Sequence, residues 1–137
     1  LALMQERADA IHLLNRTPGR ARAVGEALDP RGRKVLVVEG GPQGVAREGY
    51  DLVVNATSLG MAGDDPLPLD LDRPARVGAV LDVVYRAGGT SWVAAAHQRD
   101  ILAADGLEML IQQGAASFRR WFDTDPDIEA MRAAEAG

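Results

Sequence analysis

Two stretches carry residue types and spacings that could bind a charged or polar ligand. The first is Asn15-Arg16-Thr17-Pro18-Gly19-Arg20, which follows the short apolar run Ala10–Leu14. Arg16 and Arg20 are four apart, a spacing that sets both on one helix face near its positive end. An acidic residue at the end of such a strand would accept a hydrogen bond from the ribose 2′-hydroxyl of NAD; guanidinium groups suit a 2′-phosphate instead and point to NADP. A capped surface helix with two solvated arginines accounts for the hexapeptide equally well. The second stretch is Asp51-Leu-Val-Val-Asn-Ala-Thr-Ser-Leu-Gly-Met61. Its apolar run, Leu52 to Val54, ends abruptly in small polar residues. A buried parallel strand has this look where it emerges at its carboxyl end, the edge at which open α/β sheets bind ligands. Asn55 and Thr57 offer short hydrogen-bonding side chains, and Gly60 permits a tight turn.

Other constellations fall away. Asp123-x-Asp125-x-Asp127 imitates the start of a calcium loop, but Ile128 stands where glycine is required and Ala134 where the bidentate glutamate belongs. Capping and solvation explain those aspartates, and the Asp64–Asp65 and Asp70–Asp72 pairs are expected to be solvated. With His12, His97 and no cysteine, a zinc site has almost no ligands to use, so no metal is expected. Lys34, the only lysine, opens a buried strand and matches no catalytic motif. The net charge of −5 argues against nucleic acid, which requires a basic stripe. No apolar run is long enough to span a bilayer, and Leu1–Met4 is followed at once by charge. No membrane partner and a cytoplasmic location are therefore the expectation, in keeping with the lack of cysteine.

Alternating strands and helices must position these residues. Strands are expected at Ala10–Leu14, Lys34–Val38, Tyr50–Asn55, Ala79–Tyr85 and Ile101–Ala104, from their apolar runs. Pro18 suits the first turn of a helix continuing through Ala21–Leu28, and Thr90–Gln98 reads as another. Gly63–Arg76, rich in Pro and Asp, reads as an irregular excursion. Leu107, Leu110, Ile111, Ala115, Phe118 and Phe122 recur at intervals of three and four, one face of a long helix. Asp125 is expected to cap a last helix with Pro126 in its first turn.

The order implies an α/β fold: an incomplete Rossmann-like, doubly wound and mostly parallel sheet with C-terminal helices from about 105 to 137. The 137 residues, 47% of them hydrophobic, are enough for a single domain with a core. Leu1–Arg7 looks like the tail of a first helix, whose preceding strand and glycine-rich turn are absent from the sequence. Gly40-Gly41-Pro42-Gln43-Gly44 is no substitute, because it follows a later strand and proline removes a needed N–H. The domain is thus expected to be truncated at its N-terminus.

Four blocks then occur in order: Asn15-Arg16-Thr17-x-x-Arg20; Asn55-Ala56-Thr57-Ser58-Leu59-Gly60-Met61; Asp82-Val83-Val84-Tyr85-x-x-x-x-Thr90; and Asp105-Gly106-Leu107-x-Met109-Leu110-x-x-Gln113-Gly114-Ala115-x-x-Phe118-x-x-Trp121. Together they resemble the cofactor-binding half of shikimate dehydrogenases, across essentially the whole chain, the last block being the most distinctive. The resemblance implies that Asn15, Arg16, Thr17 and Arg20 surround the 2′-phosphate of NADP. It implies that Asn55, Ala56 and Thr57 lie along the cofactor and that the backbone at Val83 and Gly106 meets its nicotinamide end. Tyr85 and Gln113 would reach shikimate or 3-dehydroshikimate, whose hydroxyls a phenol and an amide can hydrogen-bond. Taken alone, Tyr85 could equally be a strand-end aromatic packed on a neighbouring domain.

The family's catalytic lysine–aspartate pair lies in an N-terminal substrate domain, so no catalytic residue is expected in this chain. The C-terminal helices would pack back toward that domain, and a homodimer is a further expected assembly. The sequence departs from the family pattern at Ala87, where proline is usual, and at Asp100 and Asp123, where glycine is common. A quinate or quinate/shikimate dehydrogenase, or a catalytically silent nucleotide- or partner-binding module, stand as alternative readings.

Overall fold

The computed structural model describes residues 2–6, 8–38, 45 and 49–135. The segment Gly40-Gly41-Pro42-Gln43-Gly44 lies outside the described residues. The chain divides into two compact units, Leu1–Ala46 and Arg47–Gly137.

The first unit runs α1 (Ala2–Gln5), β1 (Ile11–Leu14), α2 (Pro18–Leu28) and β2 (Val35–Val38). The strands are parallel, from Ile11 opposite Val35 to Leu14 opposite Val38. A parallel pair needs a crossover, and α2 provides it. Pro18 starts the helix, where its missing N–H costs nothing. Thr17 is the N-cap residue but makes no side-chain capping bond. Asn15 turns inward on the backbone instead, its Oδ1 accepting the Thr17 N–H at 2.8 Å. Gly25 brings the helix close to the sheet: a Cβ there would sit 3.4 Å from the Val35 side chain and 3.6 Å from that of Val37. Asp29 then locks the return, its Oδ2 accepting the N–H groups of Lys34 and Val35. Those two bonds hold its carboxyl below the usual carboxylate range. Lys34 Nζ donates to the Ala8 carbonyl at 2.9 Å, a structural tie that accounts for this lysine.

The second unit holds β3 (Gly49–Asn55), β4 (Arg76–Asp82), α3 (Ser91–His97), β5 (Leu102–Ala104), α4 (Leu107–Phe122) and α5 (Ile128–Glu135). The three strands are parallel in the order β3-β4-β5. Val80, Trp92, Val93 and Ala96 are buried where α3 covers β4 and β5. The segment between β3 and β4 is irregular, as expected, yet Leu69 and Leu71 are buried and the Leu69 carbonyl accepts the Trp92 indole N–H at 3.0 Å. Its aspartates are not simply solvated: Asp65 accepts the N–H groups of Gly60 and Ala62, and Asp72 pairs with Arg99 through two hydrogen bonds.

Two expectations are corrected here. The strand placed at Ala79–Tyr85 occupies Arg76–Asp82. Gly78 is required for that earlier start, since a Cβ on it would approach the Asp51 carbonyl oxygen to 2.7 Å. The strand stops at Asp82 because its carboxylate takes the Val84 N–H, which a neighbouring strand would otherwise use. The last helix is capped by Asp127, not Asp125: Asp127 Oδ1 accepts the Ala130 N–H at 2.9 Å, while Asp125 pairs with Arg119. Pro126 therefore precedes the cap. In α4 burial is confined to Ile111 and Ala115, while Leu110, Phe118 and Phe122 remain exposed. Among the described residues no helix is long and apolar enough to cross a membrane.

Candidate functional site

The carboxyl ends of β3, β4 and β5 share one edge of the parallel sheet, and the segments leaving them are joined by backbone hydrogen bonds. Val83 N–H donates to the Asn55 carbonyl at 2.9 Å, and Gly106 N–H donates to the Val84 carbonyl at 3.1 Å. At this edge Ala56, Thr57, Ser58, Met61, Val83, Val84 and Tyr85 line an open recess of about 320 Å³. The structure thus brings together Ala56, Thr57, Val83 and Tyr85 from the expected set. Gly106 lies directly behind Val83, where a Cβ would come within 2.2 Å of the Val83 carbonyl oxygen.

Asn55 supports the recess from beneath. It is 3% exposed, and all four of its hydrogen-bonding sites are engaged. Nδ2 donates to the Leu59 carbonyl and to Asp82 Oδ1; Oδ1 accepts from the backbone N–H and the hydroxyl of Thr57. An Asn side chain bonding its own backbone two residues on makes an Asx turn, a local reason for the strand to end here. Thr57 Oγ1 in turn accepts the Leu59 N–H at 3.1 Å, so the loop is ordered from within.

Gln113 sits on the exposed surface of α4 and is not among the residues lining the recess. Asn15, Arg16, Thr17 and Arg20 belong to the first unit, all exposed, at the N-terminal end of α2. Arg20 lies in the first turn. Arg16 precedes the N-cap, so the expectation that both arginines ride one helix face is corrected: only Arg20 is on the helix. Both still stand where the helix dipole is positive and favours an anion. Among the described residues neither forms an ion pair.

The stretch through Met61, read from the sequence as a ligand-binding edge, places Ser58 and Met61 in the recess wall, whereas Val84 in the wall and Asp82 beneath it were given no role of their own. The available signal was an acidic residue closing an apolar strand, with Thr90 eight positions on. Among the described residues no cluster of three or more His, Cys, Asp or Glu side chains could hold a metal ion. The aspartates that imitate a calcium loop have other work: Asp123 ends α4, Asp125 pairs with Arg119 and Asp127 caps α5.

Residues 106–134 match the family model described as Shikimate 5′-dehydrogenase C-terminal domain. The chain is 42% identical to the shikimate dehydrogenase (NADP(+)) of Rubrobacter xylanophilus, a match covering 100% of this chain and 49% of that protein. Among solved structures it resembles the Thermus thermophilus shikimate 5-dehydrogenase in complex with NADP(H) and shikimate. That match has 34% identity and a TM-score of 0.71, covering 98% of this chain and 48% of the other. The Aquifex aeolicus shikimate dehydrogenase gives a TM-score of 0.76 at 25% identity, covering 97% and 46%. The chain spans about half the length of the relatives it matches. In sequence and in fold, the chain matches the C-terminal, NADP-binding part of the shikimate dehydrogenases.

Proposed function

We propose that this chain binds NADP and forms the cofactor side of a site that interconverts 3-dehydroshikimate and shikimate. The observation that carries this reading is the recess where the loops after β3 and β4 meet, with Thr57 and Tyr85 both in its wall. Its lining suits a nicotinamide and its ribose: mostly apolar, from Ala56, Met61, Val83 and Val84, with hydroxyls from Ser58 and Tyr85. In the first unit, Arg16 and Arg20 suit the 2′-phosphate by charge and by the fork of guanidinium donors, with Asn15 and Thr17 ordering the turn between them. The residues present therefore fit NADP better than NAD.

When bound, the cofactor supplies the hydride. This chain's residues bind and orient. The loop Asn55-Ala56-Thr57 runs along the cofactor, and the backbone at Val83, buttressed by Gly106, bounds its nicotinamide end. Tyr85 and Gln113 hydrogen-bond the hydroxyls of shikimate or 3-dehydroshikimate. The proton is handled by the lysine–aspartate pair of the substrate domain, so these 137 residues alone bind cofactor without turnover. A cytoplasmic location and assembly as a homodimer complete the reading.

Calorimetric titration of the chain with NADP and with NAD tests the proposal. Saturable binding that favours NADP is the expected result, and no binding of either would overturn it. Measurable oxidation of shikimate by the chain alone would overturn the requirement for a substrate domain.

A further inference from the structure

We infer that Asp82 is the positioning residue of the recess, fixing the two loops that line it without itself touching a ligand. The inference rests on the reading that the recess holds the nicotinamide end of NADP. Asp82 is the last residue of β4 and is fully buried. Its Oδ1 accepts from Asn55 Nδ2 at 2.8 Å and from the Val84 N–H at 3.1 Å; its Oδ2 accepts from the Thr90 hydroxyl at 2.7 Å. The three donors come from three segments: the end of β3, the loop after β4, and the N-cap of α3. Two of those segments form the recess. Through Asn55, whose Oδ1 holds both the N–H and the hydroxyl of Thr57, one carboxylate reaches the first wall; through Val84 it reaches the second.

The chemistry of the network favours positioning over stability. All three donors are neutral, so the carboxylate is held by hydrogen bonds and not by a cation. Burial of a charge is costly unless hydrogen bonds replace its water, and an apolar cluster of the same volume would stabilise the fold at least as well. What a carboxylate adds is two oxygens with several acceptor directions, enough to gather donors from separate loops at fixed angles. Thr90 completes the arrangement, since its hydroxyl also accepts the Val93 N–H at 3.2 Å and so ties the network to the start of α3.

The test compares two ligands on the full 137-residue chain by calorimetry. NADP carries both a 2′-phosphate, which suits the arginine pair, and a nicotinamide, which suits the recess; adenosine 2′,5′-bisphosphate carries only the first. Asp82→Ala should weaken NADP by about tenfold or more, the loss expected when hydrogen bonds to a charged group are removed. Asp82→Asn retains one acceptor oxygen and should weaken NADP by only about threefold. Neither substitution should change the affinity for the bisphosphate. General destabilisation would weaken both ligands together, and that outcome, or unaltered NADP binding in both variants, overturns the inference. Should Asp82→Ala fail to fold by circular dichroism, Asp82→Asn decides alone by the same contrast. Failure of the unsubstituted chain to bind NADP overturns the functional reading itself and is distinct from normal binding that ignores Asp82.

Discussion

Gly106 packs so tightly against Val83 that a Cβ at Gly106 would lie 2.2 Å from the Val83 carbonyl oxygen and 2.9 Å from its carbonyl carbon. Both neighbours are backbone, so neither can swing aside as a side chain could. The backbone of Gly106 itself is unstrained, at φ −76°, so the glycine is there for space and not for conformation. Its N–H bonds the Val84 carbonyl, and the next residue begins α4. Gly106→Ala should therefore cost about 3 kcal/mol or more of stability in a urea titration, as overpacking against backbone does. Gly19→Ala is the control. Nothing lies within 4 Å of a Cβ at Gly19, in the first turn of α2, so that change should be neutral or stabilise by up to ~1 kcal/mol. Equal effects at the two glycines would deny the close approach its structural weight.

Replacing Arg16 and Arg20 together by Gln should weaken NADP by about tenfold to a hundredfold, the range for lost charge-assisted bonds to a phosphate. NAD lacks the 2′-phosphate, and its affinity should change less than about twofold on the same scale. Both arginines are exposed, so the NADP effect should also shrink as salt is added. Parallel titrations with the two dinucleotides check this, and an equal loss for both removes the 2′-phosphate role.

The pattern of strands and helices was legible because each strand core is an apolar run and α4 repeats at helical spacing. The start of β4 was not. Arg76 read as the end of the irregular excursion and Val77 and Gly78 lay outside the expected strand; the fit of Gly78 against the Asp51 carbonyl explains why a strand runs through them. The cap of α5 misread for a related reason: Asp125 and Asp127 are equal candidates by type, and a tertiary ion pair to Arg119 occupies the first. The wall of the recess was half visible, through the small polar residues after β3. Its support was not, since Asn55 and Asp82 are 27 positions apart and only parallel pairing of β3 with β4 puts them side by side. Hydrogen bonds of that range leave no periodicity in a single sequence.

Asp100 and Asp123, two positions where the sequence departs from the family's usual glycine, have φ values of 56° and 51° and are, among the described residues, the non-glycine positions with positive φ. The left-handed turns thus persist with aspartate in place of the residue that adopts them freely. Asp123 ends α4 in this conformation, its N–H bonding the Arg119 carbonyl. Aspartate tolerates the left-handed region better than most residues, yet a Cβ there still carries a penalty. Asp100→Gly and Asp123→Gly should each stabilise by about 0.5–1 kcal/mol, after the greater backbone entropy of glycine in the unfolded chain is subtracted. Denaturant midpoints of the single variants measure this, and destabilisation by either glycine would mean that its carboxylate contributes more than its conformation costs.

Glu108 ties α4 to α5. Its Oε1 and Oε2 accept from the Arg132 guanidinium at 2.8 and 3.0 Å, and Oε1 also accepts from Gln112. The Arg132 bonds first, and the Gln112 bond second, lower its carboxyl from an ordinary value of 4.5 to about 2. A group whose pKa falls on folding contributes stability that is complete above its unfolded pKa and lost as the pH drops through its folded one. The contribution should be constant from neutral pH down to about 5 and fade between there and about 2. Glu108→Gln isolates it from the other carboxylates that folding also shifts downward, such as Asp29 and Asp72. Melting curves of the two proteins should show a small gap at neutral pH, small because both partners are about half exposed. That gap should narrow with added salt and close toward pH 2. A gap that stayed constant into acid would mean that the tie between α4 and α5 owes nothing to the charge on Glu108.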